Sequence, residues 1–215
     1  MNNFFKKTRK GGLTLIEILV VVATLFVLAA LLLPILARSR HNHSYISCVN
    51  YLKQIGLSFR IYAGDNNDRY PTNLSTNEEP VVNEMTPVYQ YFQSLSNELG
   101  TPKIVICPLD EKRKGAQDFS KLSDLNVSYF VGLDANENEP NSMLAGDRNI
   151  KNGVSPDNGI LRLTTNQMVE FTDEIHKKQG NIVLGDGSVQ QVSSARLRSE
   201  IIRNSPFATN RIKLP

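Results

Sequence analysis

Residues 13–36, LTLIEILVVVATLFVLAALLLPIL, hold one charged side chain, Glu17, among 24 positions. A run apolar on every side predicts a helix with no wet face. At 1.5 Å per residue it spans about 36 Å, enough to cross a hydrocarbon core of about 30 Å. From Ala37 the pattern changes. Tyr45, Val49, Leu52, Ile55, Phe59 and Tyr62 recur at spacings of three or four, so residues 37–63 are expected to continue the helix with a single apolar stripe. Gly56 interrupts that stretch at a cost of about 1 kcal/mol relative to Ala, which points to a strand packed closely against it. Gly64 and the cluster Asp65-Asn66-Asn67-Asp68 end the helix.

Residues 64–86 read as a surface loop. Thr86-Pro87 opens a further helix, PVYQYFQSLSNEL, and Gly100 closes it. Lys103 to Cys107, Val127 to Gly132 and Met143 to Ala145 are candidate strands. NIVLGDGSVQQV predicts a hairpin turning at Gly185-Asp186-Gly187. Ser194 to Asn204 reads as an amphipathic helix with Leu197, Ile201 and Ile202 inward. The expected fold class is α+β: a long N-terminal helix packed on a small antiparallel sheet, with additional loops and short helices. The expected divisions are residues 1–12, 13–36, 37–63 and 64–215.

Composition adds an asymmetry. The formal charge is +3, yet Lys6, Lys7, Arg9 and Lys10 supply four positive charges within the first twelve residues. Without those four the balance is −1, so the basic character belongs to the leader. A folded nucleic-acid-binding domain wants its basic patch on the domain itself, and no nucleic-acid partner is expected. The leader charges place the N-terminus on the cytoplasmic side of a membrane. An ordinary secretory signal has a shorter apolar region that ends in a small-residue cleavage site. Here the small pair, Gly11-Gly12, precedes the apolar run, so cleavage there removes the basic leader and keeps the helix. Glu17 lies five residues after Gly12. Acids inside a membrane span are costly and usually functional. Cutting after Gly12 exposes an α-amine on Leu13, which Glu17 of a neighbouring subunit can pair with.

The run GGLTLIEILVVVATLFVLAALLLP resembles the class III signal of type IV prepilins and type II secretion pseudopilins. That resemblance implies cleavage after Gly12 by a prepilin peptidase, N-methylation of Leu13 by the same enzyme, and Glu17 as the acid that sets filament register. Leu13 stands where Phe or Met is commoner, and Pro34 lies where such helices often carry a proline. The implied fold is pilin-like. The implied partners are other pilin-like subunits, the peptidase/methyltransferase, an assembly platform and the membrane. The implied place is the bacterial inner membrane, with a single span and the C-terminal domain outside the cytoplasm.

A second resemblance covers most of the remainder. CVNYLKQIGLSFRIYAGDNNDRYP, ICPLD, SYFVGLDANENEP, LAGDRNI and HKKQGNIVLGDGSV are similar to a prepilin-type group known by an H-x9-DG signature, here His176, Asp186 and Gly187. Two readings of it stand. In one, Asp186 and Gly187 make a hairpin turn and His176 bonds to nearby backbone; in the other, the His and Asp help form a metal or partner site. Cys48 and Cys107 suggest one disulfide in an exported chain, with two buried free thiols as the alternative. No CxxC pair or His/Cys cluster appears along the chain, which argues against structural zinc. His41 and His43, two apart, do not share a helix face. Asp134-Ala-Asn136-Glu-Asn138 begins like a calcium loop but lacks the glycine and the closing glutamate. Acidic loops around Asp65, Asp134 and Asp147 leave calcium as the one ligand considered, and no other cofactor is expected. Walker, G-x-S-x-G and H-E-x-x-H patterns are missing, so no enzyme is expected. The expectation is a pilus or pseudopilus subunit; the alternative is a membrane-anchored surface-displayed binding module that does not polymerise.

Overall fold

Helix α1 runs from Leu15 to Asp65. The computed structural model describes the backbone of residues 14–73 and 84–215, and the side chains of these except 33–43. The expected cleavage site, Gly12 and Leu13, lies outside the described residues, as do residues 74–83 of the expected loop and the side chains of Pro34, His41 and His43. The chain divides into two units, Met1–His43 and Ser44–Pro215.

In the first unit, Leu15–Leu32 is long and apolar enough to cross a membrane, and none of it is buried. Its start is defined by a capping box that the T-x-x-E spelling of Thr14 and Glu17 encodes. The Glu17 carboxylate accepts from the Thr14 N–H (2.8 Å) and hydroxyl (2.7 Å), and Thr14 Oγ1 accepts from the Glu17 N–H at 3.4 Å.

In the second unit, Cys48, Leu52, Ile55, Phe59 and Ala63 are fully buried. Tyr45, Val49 and Tyr62 are half-buried, so the expected stripe holds at Leu52, Ile55 and Phe59, while Cys48 and Ala63 take the deepest places toward its two ends. Gly56 does admit a strand: a Cβ there would lie 2.7 Å from Val183 Cγ1 and 3.2 Å from the Gly187 carbonyl oxygen.

The sheet has six antiparallel strands: β1 (Tyr129–Gly132), β2 (Met143–Asp147), β4 (Ile160–Thr164), β6 (Gln179–Leu184), β7 (Val189–Ser193) and β8 (Thr209–Lys213). Their order is β4-β8-β1-β2-β6-β7. Strands β3 (Ile150–Lys151) and β5 (Glu170–Phe171) form a separate pair. Both faces of the large sheet are covered. Tyr129 and Val131 of β1 and Val183 of β6 join the cluster that includes α1, while Phe130, Ile182 and Leu184 join a second cluster with Leu197, Ile201 and Ile202. Burial on two faces explains why β1 reads as an unbroken apolar run rather than an alternating one.

Three expectations are corrected. The strand at Lys103 to Cys107 is a 3₁₀ turn, Pro102–Val105, opened by proline at its first position, with the Thr101 hydroxyl oxygen accepting from the Lys103 N–H. The helix over 87–99 is two, α2 (Val88–Ser94) and α3 (Ser96–Leu99), broken at Leu95 and ended by Gly100 at φ 68°. The last helix begins as α4 (Ser194–Arg196) and widens into a π-helical stretch, Leu197–Ile202, with the three named aliphatic residues buried.

Candidate functional site

All five segments quoted for the second resemblance converge on one buried polar cluster in the second unit. Strand pairing sets Tyr129 opposite Asp147, and β6 brings Asn181 alongside β2. Between β5 and β6 the chain makes a tight turn. The Asn149 side-chain amide holds it by facing the carbonyls of Thr172 (3.0 Å), Ile175 (2.7 Å) and Gln179 (3.2 Å). His176, Lys177 and Lys178 take φ of 56°, 50° and 64° in succession. This left-handed conformation is costly for residues with a Cβ, and the surrounding contacts maintain it.

The turn carries the His176 side chain inward until none of it is exposed. Its Nε2 lies 3.4 Å from Asp147 Oδ2, 3.3 Å from Asn181 Nδ2 and 3.5 Å from Cys107 Sγ. Tyr45 of α1 meets the ring edge-on, with centroids 4.8 Å apart. Asp147 is itself fully buried, and its Oδ2 accepts from both the backbone N–H (2.7 Å) and the side-chain amide (2.9 Å) of Asn181. Cys48 and Cys107 are disulfide-bonded, with Cα atoms 5.1 Å apart, at the same place. The sulfurs and a His176 ring nitrogen all lie within 4.8 Å of one another.

This cluster is under-satisfied. His176 Nδ1, Asp147 Oδ1, Asn181 Oδ1, Asn149 Oδ1, Ser128 Oγ and the Tyr129 hydroxyl are buried without a hydrogen-bond partner among the described residues. Such groups cost about 1–3 kcal/mol each when left unpaired, and buried polar atoms normally find a partner, water or an ion. Burial, then the Asp147 charge, pushes the Tyr129 hydroxyl far above the usual tyrosine range, so it stays protonated and offers a donor.

A chain of ion pairs lies beside the cluster. Asp110, three residues after Cys107, accepts two 2.7 Å bonds from Arg148, next to Asp147. Arg148 reaches Glu174 on the histidine turn at 2.8 Å, and Lys112 closes the chain on Glu174 at 2.8 Å. The disulfide loop, the end of β2 and the histidine turn are thereby tied together.

The H-x9-DG residues occupy two different places. Asp186 and Gly187 form the β6–β7 turn. The Asp186 carboxylate accepts from the Ser188 N–H (2.8 Å), its carbonyl accepts from Arg60 (3.1 Å), and Gly187 sits at φ 81°. His176 contacts the side chains of Asp147, Asn181 and Cys107, which departs from the backbone bonding of the first reading, and its acid is Asp147, which neither reading named, rather than Asp186. Asp147 is accordingly no member of an acidic surface loop. Asp134 is held by Arg211, which bonds it through backbone N–H (2.7 Å) and Nε (2.8 Å). Residues 48, 107 and 176 are distant along the chain and adjacent in space, a His/Cys cluster that spacing along the sequence does not reveal. The signal that could have linked them was the recurrence of Cys, Asp and His beside short Gly/Pro/Asn motifs in separate segments. Comparison with family models, with curated proteins and with solved structures gives no match.

Proposed function

We propose that this chain is a prepilin-type subunit, similar to type IV pilins and type II secretion pseudopilins, which is inserted in the bacterial inner membrane, cut after Gly12, methylated on Leu13 and assembled into a filament. One observation carries the reading: a single helix has a membrane-length apolar segment exposed all round, followed by a segment with one face buried on a sheet. An all-round apolar helix with no protein covering it needs lipid or other such helices around it. Other pilin-like subunits and an assembly platform are the partners this reading requires.

The capping box gives Glu17 a second task and sharpens its test. Glutamine at the same helix position also caps, so Glu17→Gln keeps the helix start and removes the charge. The expected result is normal membrane insertion with filament assembly reduced at least tenfold. Thr14→Ala, which weakens the cap and keeps the acid, is expected to assemble. Sedimentation of sheared filaments measures both; assembly by Glu17→Gln at the wild-type level refutes the register role. Replacing Gly12 with a bulky residue is expected to leave an uncut, membrane-bound precursor, heavier by the basic leader in mass spectrometry. Wild-type protein intact from Met1 contradicts the processing step.

The second reading, a membrane-anchored binding module, has its own support. A polar cleft of about 530 Å³ is lined by Asn67, Asp68, Asp134, Asn136, Asn138 and Arg211, among others, and its donors and acceptors suit a polar ligand such as a carbohydrate. A filament-free phenotype for the wild type would favour it.

A further inference from the structure

We propose that when the Cys48–Cys107 bond is reduced, the two thiolates, His176 and Asp147 form a closed site for a zinc-like divalent cation, so that metal and disulfide compete for the same pair of sulfurs. The inference rests on the second unit alone and is independent of what the apolar helix does.

The donor set is the one that borderline-soft ions select: two sulfurs, one imidazole and one carboxylate. Two of the six ligand–ligand edges of a tetrahedral centre are already in place. With metal bonds of about 2.0–2.3 Å, neighbouring ligand atoms stand about 3.3–3.8 Å apart. Cys107 Sγ to His176 Nε2 is 3.5 Å, and His176 Nε2 to Asp147 Oδ2 is 3.4 Å. Cys48 Sγ lies within 4.8 Å of Cys107 Sγ and of the His176 ring nitrogen, and cleaving the sulfur–sulfur bond frees both thiolates to move toward the remaining edges, those to Asp147 included. Cys48 and Cys107 are at most 1% exposed, and the His176 and Asp147 side chains are wholly buried, so the site excludes water. Asn181 fixes the Asp147 carboxylate with two hydrogen bonds, as outer-shell partners of metal ligands do.

The second observation is the buried acid at this spot. The Asp147 side chain is wholly buried and takes its hydrogen bonds from a neutral donor, Asn181, and an ion held by Asp147 Oδ2 and His176 Nε2 answers its charge. The other atoms of the two groups, Asp147 Oδ1 and His176 Nδ1, are buried and without a hydrogen-bond partner among the described residues. In the oxidised state the sulfurs are spent on each other and the site lacks half its donors.

The chemistry balances. A water-soluble phosphine reduces the disulfide: phosphorus takes the oxygen of one water to become the phosphine oxide, and the two sulfurs leave as thiols carrying its hydrogens. Binding of a divalent cation then displaces the two thiol protons to solvent. Reoxidation requires the ion to leave, because the lone pairs that would form the sulfur–sulfur bond are committed to it.

The test uses the full chain in detergent, reduced with phosphine and freed of reductant under anaerobic conditions. Cobalt(II) is the probe, since tetrahedral cobalt with thiolate ligands is coloured. The expected result is saturable binding of one cobalt per reduced chain, displaced by zinc, and none by the oxidised chain. His176→Asn, checked by circular dichroism in its disulfide form, is expected to bind at least tenfold more weakly. Zinc-loaded reduced protein is expected to re-form its disulfide at least tenfold more slowly than metal-free protein. Absence of one-to-one binding, equal binding by the oxidised chain, equal affinity in His176→Asn, or zinc-independent reoxidation would each overturn the proposal. Equal affinity in His176→Asn would mean that the thiols alone, as in an unfolded chain, hold the metal.

Discussion

Replacing both Cys48 and Cys107 with alanine is expected to destabilise the second unit by about 4 kcal/mol. The bond closes a loop with a sequence separation of 59, and removing that constraint returns about this much conformational freedom to the unfolded chain. For a domain of this size the loss lowers the melting temperature by about 10 °C. Denaturant unfolding of the variant against the oxidised wild type measures it. The wild type under reducing, metal-free conditions is expected to fall to the same value. A loss below about 1.5 kcal/mol would mean that the unfolded chain is already held together near these positions. The arrangement also has a local side: the bond ties α1 to the loop that carries Asp110, and so steadies the wall of the His176 cluster.

The second large effect is expected from Asp110→Ala, at about 3 kcal/mol. Asp110 has no exposed side-chain surface and Arg148 only 11%. Their pairing is bidentate, so removing the acid leaves a nearly buried guanidinium with Glu174 as its remaining acidic partner. Breaking a buried pair from one side typically costs about 3–5 kcal/mol, while replacing both members with apolar groups is often neutral. Asp110→Ala with Arg148→Met is therefore expected to recover most of the loss. Urea unfolding of the two single variants and the double variant gives the coupling. Additive losses would show that the pair does not act as a unit.

Acid sensitivity follows from the same chain of charges. The Lys112 ammonium, followed by Arg148, holds the Glu174 carboxyl below the ordinary glutamate range despite partial burial. A carboxyl depressed on folding adds stability above its unfolded value, and that contribution disappears as pH falls through the folded one. Acid should therefore loosen the histidine turn, on which Glu174 sits.

What the amino-acid pattern disclosed was local and periodic. The all-apolar run, the stripe through Leu52, Ile55 and Phe59, the hairpin at Asp186-Gly187 and the buried face of Leu197, Ile201 and Ile202 all follow from spacing. The 3₁₀ turn at Pro102 was missed because Ile104 and Val105 are β-branched and buried, which imitates a strand. Strands β4 and β8 were missed because their charged residues interrupt the alternation: Arg162 stands exposed, and Lys213 is buried with its ammonium on the carbonyls of Glu84 and Asn158. The His176 cluster was hidden for a different reason. Its members come from α1, the loop after Pro102, β1, β2, the turn before β6 and β6 itself, and only the tertiary fold makes them neighbours.

The position of β8 has a temporal consequence. It lies between β4 and β1, yet residues 209–213 emerge from the ribosome after the other strands of that sheet. Until then the sheet has a vacant slot, with β4 on one side and β1 on the other, each presenting an unpaired edge. A nascent chain therefore remains open to mispairing with a second chain until β8 slides home.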